Sequence, residues 1–110
     1  MTPAEFWAAL DIALRELDAE GVPAMGPAGL HGGFADCASC TLTELEAHGV
    51  DTEGAFVFYT SDDYDPKRAE CRLTWRGEET PLRLGARLAV HGLTWVAPAD
   101  ETARIRVFPA

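Results

Sequence analysis

Cys71-Arg72-Leu73-Thr74-Trp75-Arg76 is the stretch that decides the fold class, because its apolar and polar residues alternate one by one. Successive side chains of a β-strand point to opposite faces of the sheet, so Cys71, Leu73 and Trp75 are predicted to face a core. The three other residues, two of which are arginines, then point away from it. One apolar and one polar face are typical of an antiparallel sheet that is covered on a single side.

Three other segments are predicted to form strands of the same sheet. Residues 55–60 are an apolar run of strong strand formers, which predicts a central strand buried on both faces. Residues 93–97 and 103–108 flank a polar turn and are predicted to form a hairpin. We also expect a short strand within 22–25 and an extended segment at 29–36. The residues predicted to be mostly buried in the sheet are Phe56, Phe58, Leu73, Trp75, Leu93, Ile105 and Val107.

Two main helices are predicted to cover this sheet. Thr2 is placed to cap a helix, and the apolar residues after it recur at intervals of three and four, so we predict a helix over 3–20. A shorter helix is predicted over 41–48, with Thr41 at its start. The other main helix is predicted over 80–91. Its predicted core face consists of Leu82, Ala86, Ala89 and Val90.

These elements predict an α+β fold, with a single antiparallel-rich sheet and the two main helices packed on one face. The 110 residues fit the usual size of one domain, so we predict a single domain over 1–110. A chain of this length buries enough surface to fold without a metal or disulfides. A metal site would therefore be optional for folding.

The chain is acidic, with a net charge of −9, and an excess of acid repels phosphate backbones, so no nucleic-acid partner is expected. Residues 1–66 hold thirteen acids and one base, whereas residues 67–110 hold eight bases and five acids. The simplest interpretation is that the acids line a solvated surface. The alternatives are pairing of the two blocks within the fold or across a dimer, so an unknown protein partner and self-association both stay open.

Nothing in the sequence predicts secretion or membrane insertion. The first residues carry no positive charge, and Asp11, Arg15 and Glu16 interrupt the stretch that follows, unlike in a signal peptide. No window approaches the roughly 18 uncharged apolar residues that span a bilayer. Three cysteines are too few, and odd in number, for a secreted domain held by disulfides. We therefore expect a cytoplasmic protein without a membrane partner.

Cys37-Ala38-Ser39-Cys40 has the one spacing with known chemical uses, and it lies just before the predicted helix 41–48. The dipole at a helix start stabilises a thiolate, which a redox pair or a metal ligand needs. Zinc prefers four Cys or His ligands, and the further candidates are Cys71, His31 and His48. Packing or idle thiols without a cofactor are the favoured interpretation, and a zinc site or thiol redox chemistry are the alternatives.

Four arginines are predicted on the polar sides of alternating strands. If the strands that carry Arg72, Arg76, Arg104 and Arg106 are neighbours, the four guanidinium groups share one face of the sheet. Arginine binds carboxylate or phosphate in a bidentate manner, so this face would suit an anionic ligand or an acidic partner. The favoured alternative is pairing with acids of the same chain, or solvation. We predict that Arg72 or Arg76 contacts a carboxylate from residues 1–66.

Asp62 and Asp63 belong to the cluster Asp62-Asp63-Tyr64-Asp65, which follows the central strand. Carboxylates at the end of a strand suit a hard cation. The cluster lacks the glycine and the distal glutamate of a calcium loop, and aspartates also form turns by binding their own backbone. A turn is the favoured interpretation, and an ion or ligand site is the alternative.

Several short motifs of the chain resemble a family when they are taken together. The motifs are Asp36-Cys37-Ala38-Ser39-Cys40-Thr41, Phe56-Val57-Phe58-Tyr59 with Asp63, Leu73-Thr74-Trp75-Arg76-Gly77, Gly92-Leu93 and Arg104-Ile105-Arg106-Val107. They are similar to a bacterial family of domains of unknown function, with a CCxxCG-like cluster, an aromatic strand before a Gln-Asp-Thr-Glu-like turn, and a C-terminal Arg-Ile-x-Val strand. Asp36 and Thr41 replace the first cysteine and the glycine of that cluster. The resemblance implies a fold and leaves the activity open.

No nucleophile with its base, no phosphate loop and no pair of catalytic acids is recognisable in the sequence. We therefore expect an accessory or binding protein without catalytic activity, which works by surface recognition. The alternative is a thiol-redox or metal-binding protein that uses Cys37 and Cys40.

Overall fold

The structure is a computed structural model that describes residues 1–27, 38–47 and 49–110, with the backbone alone for 38–40. Its helices are α1 (Pro3–Ala19), α2 (Ala38–Ala47) and α3 (Thr80–Val90). Its strands are β1 (Ala24–Met25), β2 (Phe56–Phe58), β3 (Cys71–Arg76), β4 (Leu93–Val96) and β5 (Ile105–Pro109), and a 3-10 turn spans Ser61–Asp63. The predicted α+β class is confirmed. The extended segment expected at 29–36 lies entirely outside the described part of the chain.

The five strands form one sheet with the order β1-β2-β3-β5-β4. The pairs β2–β3, β3–β5 and β4–β5 are antiparallel, and only β1–β2 is parallel. The sheet is therefore antiparallel-rich, and the predicted hairpin of the last two strands is confirmed. β2 has a neighbour on each side and all three of its residues are buried, as expected of a central strand.

α1 begins where the sequence predicts. The Thr2 hydroxyl accepts a hydrogen bond from the Glu5 backbone N–H at 3.1 Å, and the Glu5 carboxylate accepts one from the Thr2 N–H at 3.0 Å. This capping box satisfies two backbone donors that the helix leaves unpaired. The helix stops before Gly21, which adopts a φ of +100° that a residue without Cβ reaches at little cost.

The two faces of the sheet are covered by different helices. Val57 belongs to the core that α1 and α3 build on one face, which we call the inner face. Phe56 and Phe58 point to the opposite, outer face, where Leu45 of α2 packs on them. The two main helices therefore share one face, as predicted. All seven residues predicted to be buried are buried: Phe56, Phe58, Leu73, Trp75, Leu93, Ile105 and Val107.

The predicted core face of α3 is wrong. Leu82 is 70% exposed and Val90 is 69% exposed, and the two alanines of the predicted face, Ala86 and Ala89, are exposed as well. α3 carries two apolar stripes, and the one that packs on the sheet contains Leu84 and Leu88. Gly85 lies on the same side of the helix as these leucines, and its missing side chain leaves the space that the indole of Trp95 occupies, so this side packs on the sheet.

The predicted start of α2 is also wrong, because the helix begins at Ala38, three residues before the predicted start. Thr41 is therefore inside the helix and fully buried, and it is not the capping residue. Alanine is the best helix former, which favours continuing the helix towards its N-terminus through Ala38.

Candidate functional site

The outer face of β3 and β5 carries the four arginines that the sequence singles out. Arg72 lies directly opposite Arg106 in the register of the two strands, while Leu73 opposes Ile105 on the inner face. Arg104 and Arg76 have the same alternation as Arg106 and Arg72, so they point to the outer face as well. We call Arg72, Arg76, Arg104 and Arg106 the arginine surface. The prediction that their strands are neighbours is confirmed.

Three of these arginines contact carboxylates of the same chain. Arg104 Nη2 lies 2.6 Å from Asp63 Oδ1. Arg106 Nη2 lies 2.9 Å from Glu70 Oε1, which also accepts a hydrogen bond from Arg106 Nε at 3.1 Å. The intramolecular pairing that the sequence allowed is therefore present on this surface.

Among the described residues, neither Arg72 nor Arg76 contacts a carboxylate of residues 1–66, contrary to the prediction. Arg76 Nε lies 3.9 Å from Glu101 Oε2, a carboxylate of the second half of the chain. Glu101 follows β4 in the turn that leads to β5, so the topology brings it to the end of β3. The contact with an acid of residues 1–66 is instead made by Arg104, through Asp63.

Arg72 differs from the other three arginines. It is exposed, and it forms no ion pair with any carboxylate in the described ranges. Its backbone carbonyl accepts a hydrogen bond from Arg104 Nη2 at 3.1 Å, which holds the Arg104 guanidinium beside it. Arg72 and Arg106 thus form a cross-strand pair of like charges, and the one carboxylate of the described residues that contacts either of them is Glu70, on Arg106. Like charges directly opposite each other in a sheet are unfavourable unless an anion lies nearby.

Glu70 is a carboxylate whose pKa the neighbouring arginines lower. Its hydrogen bond with Arg106 lowers its pKa, and the positive charge of Arg68 acts in the same direction. Arg68 Nη2 also lies 3.1 Å from the second Glu70 oxygen. Glu70 therefore remains ionised to a lower pH than an isolated glutamate.

Asp63 has a structural role in the turn after β2. Its Oδ2 accepts hydrogen bonds from the Thr60 backbone N–H at 2.9 Å and from the Thr60 hydroxyl at 3.0 Å, while Oδ1 binds Arg104. Asp65 similarly accepts a hydrogen bond from the Lys67 N–H at 2.9 Å. Asp62 is exposed. These bonds are the turn geometry that the sequence favoured for the cluster.

Two open clefts flank the contact between Asp63 and Arg104. One has a volume of about 410 Å³ and extends along Thr74 to the 101–104 turn. The other has a volume of about 400 Å³ and extends along Arg72 to Glu70. Both clefts are lined by charged groups of either sign, so a ligand there would exchange existing ion pairs for new ones.

Only one of the three cysteines can be placed with its side chain. Cys71 is 1% exposed and belongs to the core of the inner face, where burial raises the pKa of its thiol well above the usual value. Cys40 lies in the first turn of α2, where the structure describes its backbone but not its side chain. Cys37 lies outside the described residues. Within residues 1–27, 38–47 and 49–110, no group of three metal-ligating side chains comes together. The proposed zinc and redox uses of Cys37 and Cys40 stay predictions.

Sequence reasoning missed a polar pair on the inner side. The Tyr59 hydroxyl donates a hydrogen bond to Asp11 Oδ1 at 2.7 Å, and burial together with this carboxylate raises the pKa of Tyr59. Asp11 follows Leu10 and lies beside the apolar stripe of α1. A half-buried acid needs a hydrogen-bond partner, so its position is the signal from which such a pair could have been predicted.

Among the described helices, none is long and apolar enough to cross a bilayer. No protein-family model, no curated protein and no solved structure matches the chain.

Proposed function

We propose that this chain is a cytoplasmic accessory or binding protein without catalytic activity, and that it recognises an acidic segment of a partner protein through the arginine surface. The observation that carries the proposal is the cross-strand pair of Arg72 and Arg106 on the outer face. Strand pairing places the Cα atoms of these two arginines directly opposite each other, so both guanidinium groups start from neighbouring positions of the outer face. Such a pair suits the carboxylates of an extended acidic peptide.

The internal ion pairs do not compete strongly with such a partner. The Arg106 side chain is 51% exposed and the Arg76 side chain is 47% exposed. Ion pairs that are exposed to this degree contribute about 0–1 kcal/mol each. An acidic segment that contacts Arg72 and Arg106 together therefore exchanges one existing pair, that of Arg106, and gains a contact with Arg72 that replaces no described ion pair.

The charge distribution favours a short acidic segment over a nucleic acid. The net charge of −9 repels a long polyanion at a distance, whereas the eight bases of residues 67–110 act locally. A Debye length of about 8 Å at physiological salt screens the more distant acids of the first half of the chain from a ligand on the arginine surface, although Asp63 contacts Arg104 directly.

The test is the affinity for a hexaglutamate peptide, measured by calorimetry at low salt. The Arg72→Gln/Arg106→Gln variant should bind about tenfold more weakly than the wild-type chain, since each lost contact is worth up to about 1 kcal/mol. Arg15→Gln is the matched control, because Arg15 is an exposed arginine of α1, which covers the opposite face. It should change the affinity by less than about twofold.

Two results would contradict the proposal. One is an affinity that the double variant leaves unchanged. The other is an equal loss of affinity in Arg15→Gln, which would indicate attraction to any positive charge of the chain rather than recognition by the arginine surface.

A further inference from the structure

The outer face of the sheet has a covered side and an open side next to the arginine surface. On the covered side, Leu45 of α2 packs on Phe56 and Phe58 of β2. On the open side lies β4, which is the edge strand of the described sheet. Val96 of β4 is 45% exposed. A partner that crosses the strands beyond the arginines therefore contacts β4.

Strand register places Val96 in one row with the central arginine pair. Arg106 of β5 lies directly opposite Arg72 of β3 on one side and directly opposite Val96 of β4 on the other. Residues that oppose each other in this way point to the same face of the sheet. The row therefore presents two cations and then an aliphatic side chain. Neighbouring strands lie about 4.8 Å apart, so the row spans about 10 Å, which a few residues of a peptide cover.

Phe108 adds an aromatic side chain beside this row. It comes two residues after Arg106 on β5, so it points to the same outer face. Its register partner is Thr94, which makes it a diagonal neighbour of Val96 across the two strands. Diagonal neighbours lie within reach of an aromatic side chain. The side of the arginine pair towards β4 is therefore apolar, and residues 93–96 contain no acid that would repel an acidic peptide.

We propose that the acidic segment recognised by the arginine surface carries an apolar residue next to its acids, and that this residue packs on Val96 and Phe108. This inference rests on the proposed function and adds the chemistry of the partner. The arginines attract any acidic segment, whereas the apolar contact selects segments in which an apolar side chain adjoins the acids. Salt screens the ionic contacts but leaves the burial of apolar surface in place. The apolar contribution to the affinity therefore persists when salt weakens the ionic one.

The test compares two peptides of equal charge by calorimetry. Both are hexaglutamate with one terminal residue replaced, by leucine in one peptide and by alanine in the other. The replacement is made at each end in turn, because the row fits a peptide of either direction. At one of the two ends, the leucine peptide should bind about fivefold more tightly, since the additional carbon atoms of leucine become half-buried. This ratio should persist from about 0.01 M to about 0.1 M salt, over which the Debye length falls from about 30 Å to about 10 Å.

A substitution in β4 locates the contact. Val96→Ser removes the aliphatic side chain and should reduce the ratio to less than about twofold, while the binding of hexaglutamate is kept because no charge changes. Val90→Ser is the matched control, since Val90 is a 69% exposed valine of α3, which packs on the inner face. It should leave the ratio unchanged. Circular dichroism melting checks that both variants are folded.

The results separate this inference from the proposed function. Equal affinities of the leucine and alanine peptides at both ends would overturn the inference alone. A leucine preference that Val96→Ser retains would overturn it as well, because the apolar contact would then lie elsewhere. Hexaglutamate binding that Arg72→Gln/Arg106→Gln leaves unchanged would contradict the proposed function and this inference together.

Discussion

Gly85 of α3 lies directly against the indole of Trp95 in β4: a Cβ atom at residue 85 would lie 2.2 Å from Trp95 Nε1. Real Cβ contacts do not become this short, so the missing side chain is what allows the helix to approach the strand. This contact determines which side of α3 faces the sheet. Leu84 and Leu88 then turn inward with Gly85, and Leu82 and Val90 turn towards solvent.

Gly85→Ala should destabilise the protein. Alanine in a helix is normally favoured over glycine by about 1 kcal/mol. Here the added methyl group must displace the indole, and overpacking of this kind costs about 1–3 kcal/mol. Urea denaturation of the wild-type chain and the variant measures the difference. In a Trp95→Leu background the same substitution should be neutral or stabilising, and a Gly85→Ala chain more stable than wild type would contradict this packing.

Asp63 should matter more for stability than the arginine that it pairs with. Asp63→Ala leaves the buried Thr60 N–H and hydroxyl without their acceptor, at a cost of about 1–3 kcal/mol. Arg104→Ala removes the ion pair from a half-exposed arginine and leaves Asp63 its two bonds to Thr60, so it should cost less, about 1 kcal/mol. Asp62→Ala is the control, with a change within about 0.5 kcal/mol, since Asp62 is exposed. Equal losses in Asp63→Ala and Asp62→Ala would show that the turn does not depend on this carboxylate.

The pH dependence of stability should contain a contribution from Glu70. Its pKa is lowered in the folded chain, chiefly by Arg106, so the unfolded state binds a proton more readily. The stabilisation is therefore complete above the unfolded pKa of about 4.3 and is lost as the pH falls through the folded value. In Arg106→Gln the pKa of Glu70 should rise towards its ordinary value, and in Arg68→Gln it should rise less. Carboxyl NMR titration measures both, and an unchanged pKa in Arg106→Gln would contradict the assignment.

Cys71 should be chemically inert in the folded protein. Burial raises the pKa of its thiol, so little thiolate is present and a reagent has no access to the sulfur. In the variant Cys37→Ser/Cys40→Ser, the one remaining thiol should not react with a disulfide reagent at pH 8 until denaturant is added. Rapid reaction under native conditions would mean that the core around Cys71 opens easily.

The metal hypothesis is tested by the same double variant. We expect the metal content of protein purified without chelator to be the same in the wild-type chain and in Cys37→Ser/Cys40→Ser, because the favoured interpretation of these cysteines is packing. A stoichiometric metal that is present in the wild-type chain and lost in the variant would support the alternative function instead. A reversible disulfide with a defined reduction potential would do the same for redox chemistry.

The strands could be predicted from the sequence because alternation is a local property. β3 alternates without exception, so its two faces follow from its own six residues. The orientation of α3 could not be predicted in this way. Its sequence offers two apolar stripes, and the choice between them depends on Trp95, which lies ten residues further on and packs into the space at Gly85.

The candidate site also combines features that local sequence predicts with features that depend on distant residues. The outer-face position of Arg72 and Arg76 is local and could be predicted, whereas their ion partners depend on which turns the topology brings to each strand end. Glu101 reaches Arg76 because β5 pairs with β3, which brings the turn between β4 and β5 to the end of β3. The pair of Tyr59 and Asp11 joins residues 48 positions apart, and no local pattern links them.

The most direct test of the arginine surface is an NMR titration of the labelled chain with hexaglutamate. We predict saturable shifts of the backbone amides of residues 71–76 and 104–108, with the largest changes around Arg72 and Arg106. The same titration of Arg72→Gln/Arg106→Gln should lose these shifts while the rest of the spectrum is unchanged. Shifts confined to α1 and α2, or no saturable shift at all, would contradict recognition of an acidic partner through this face.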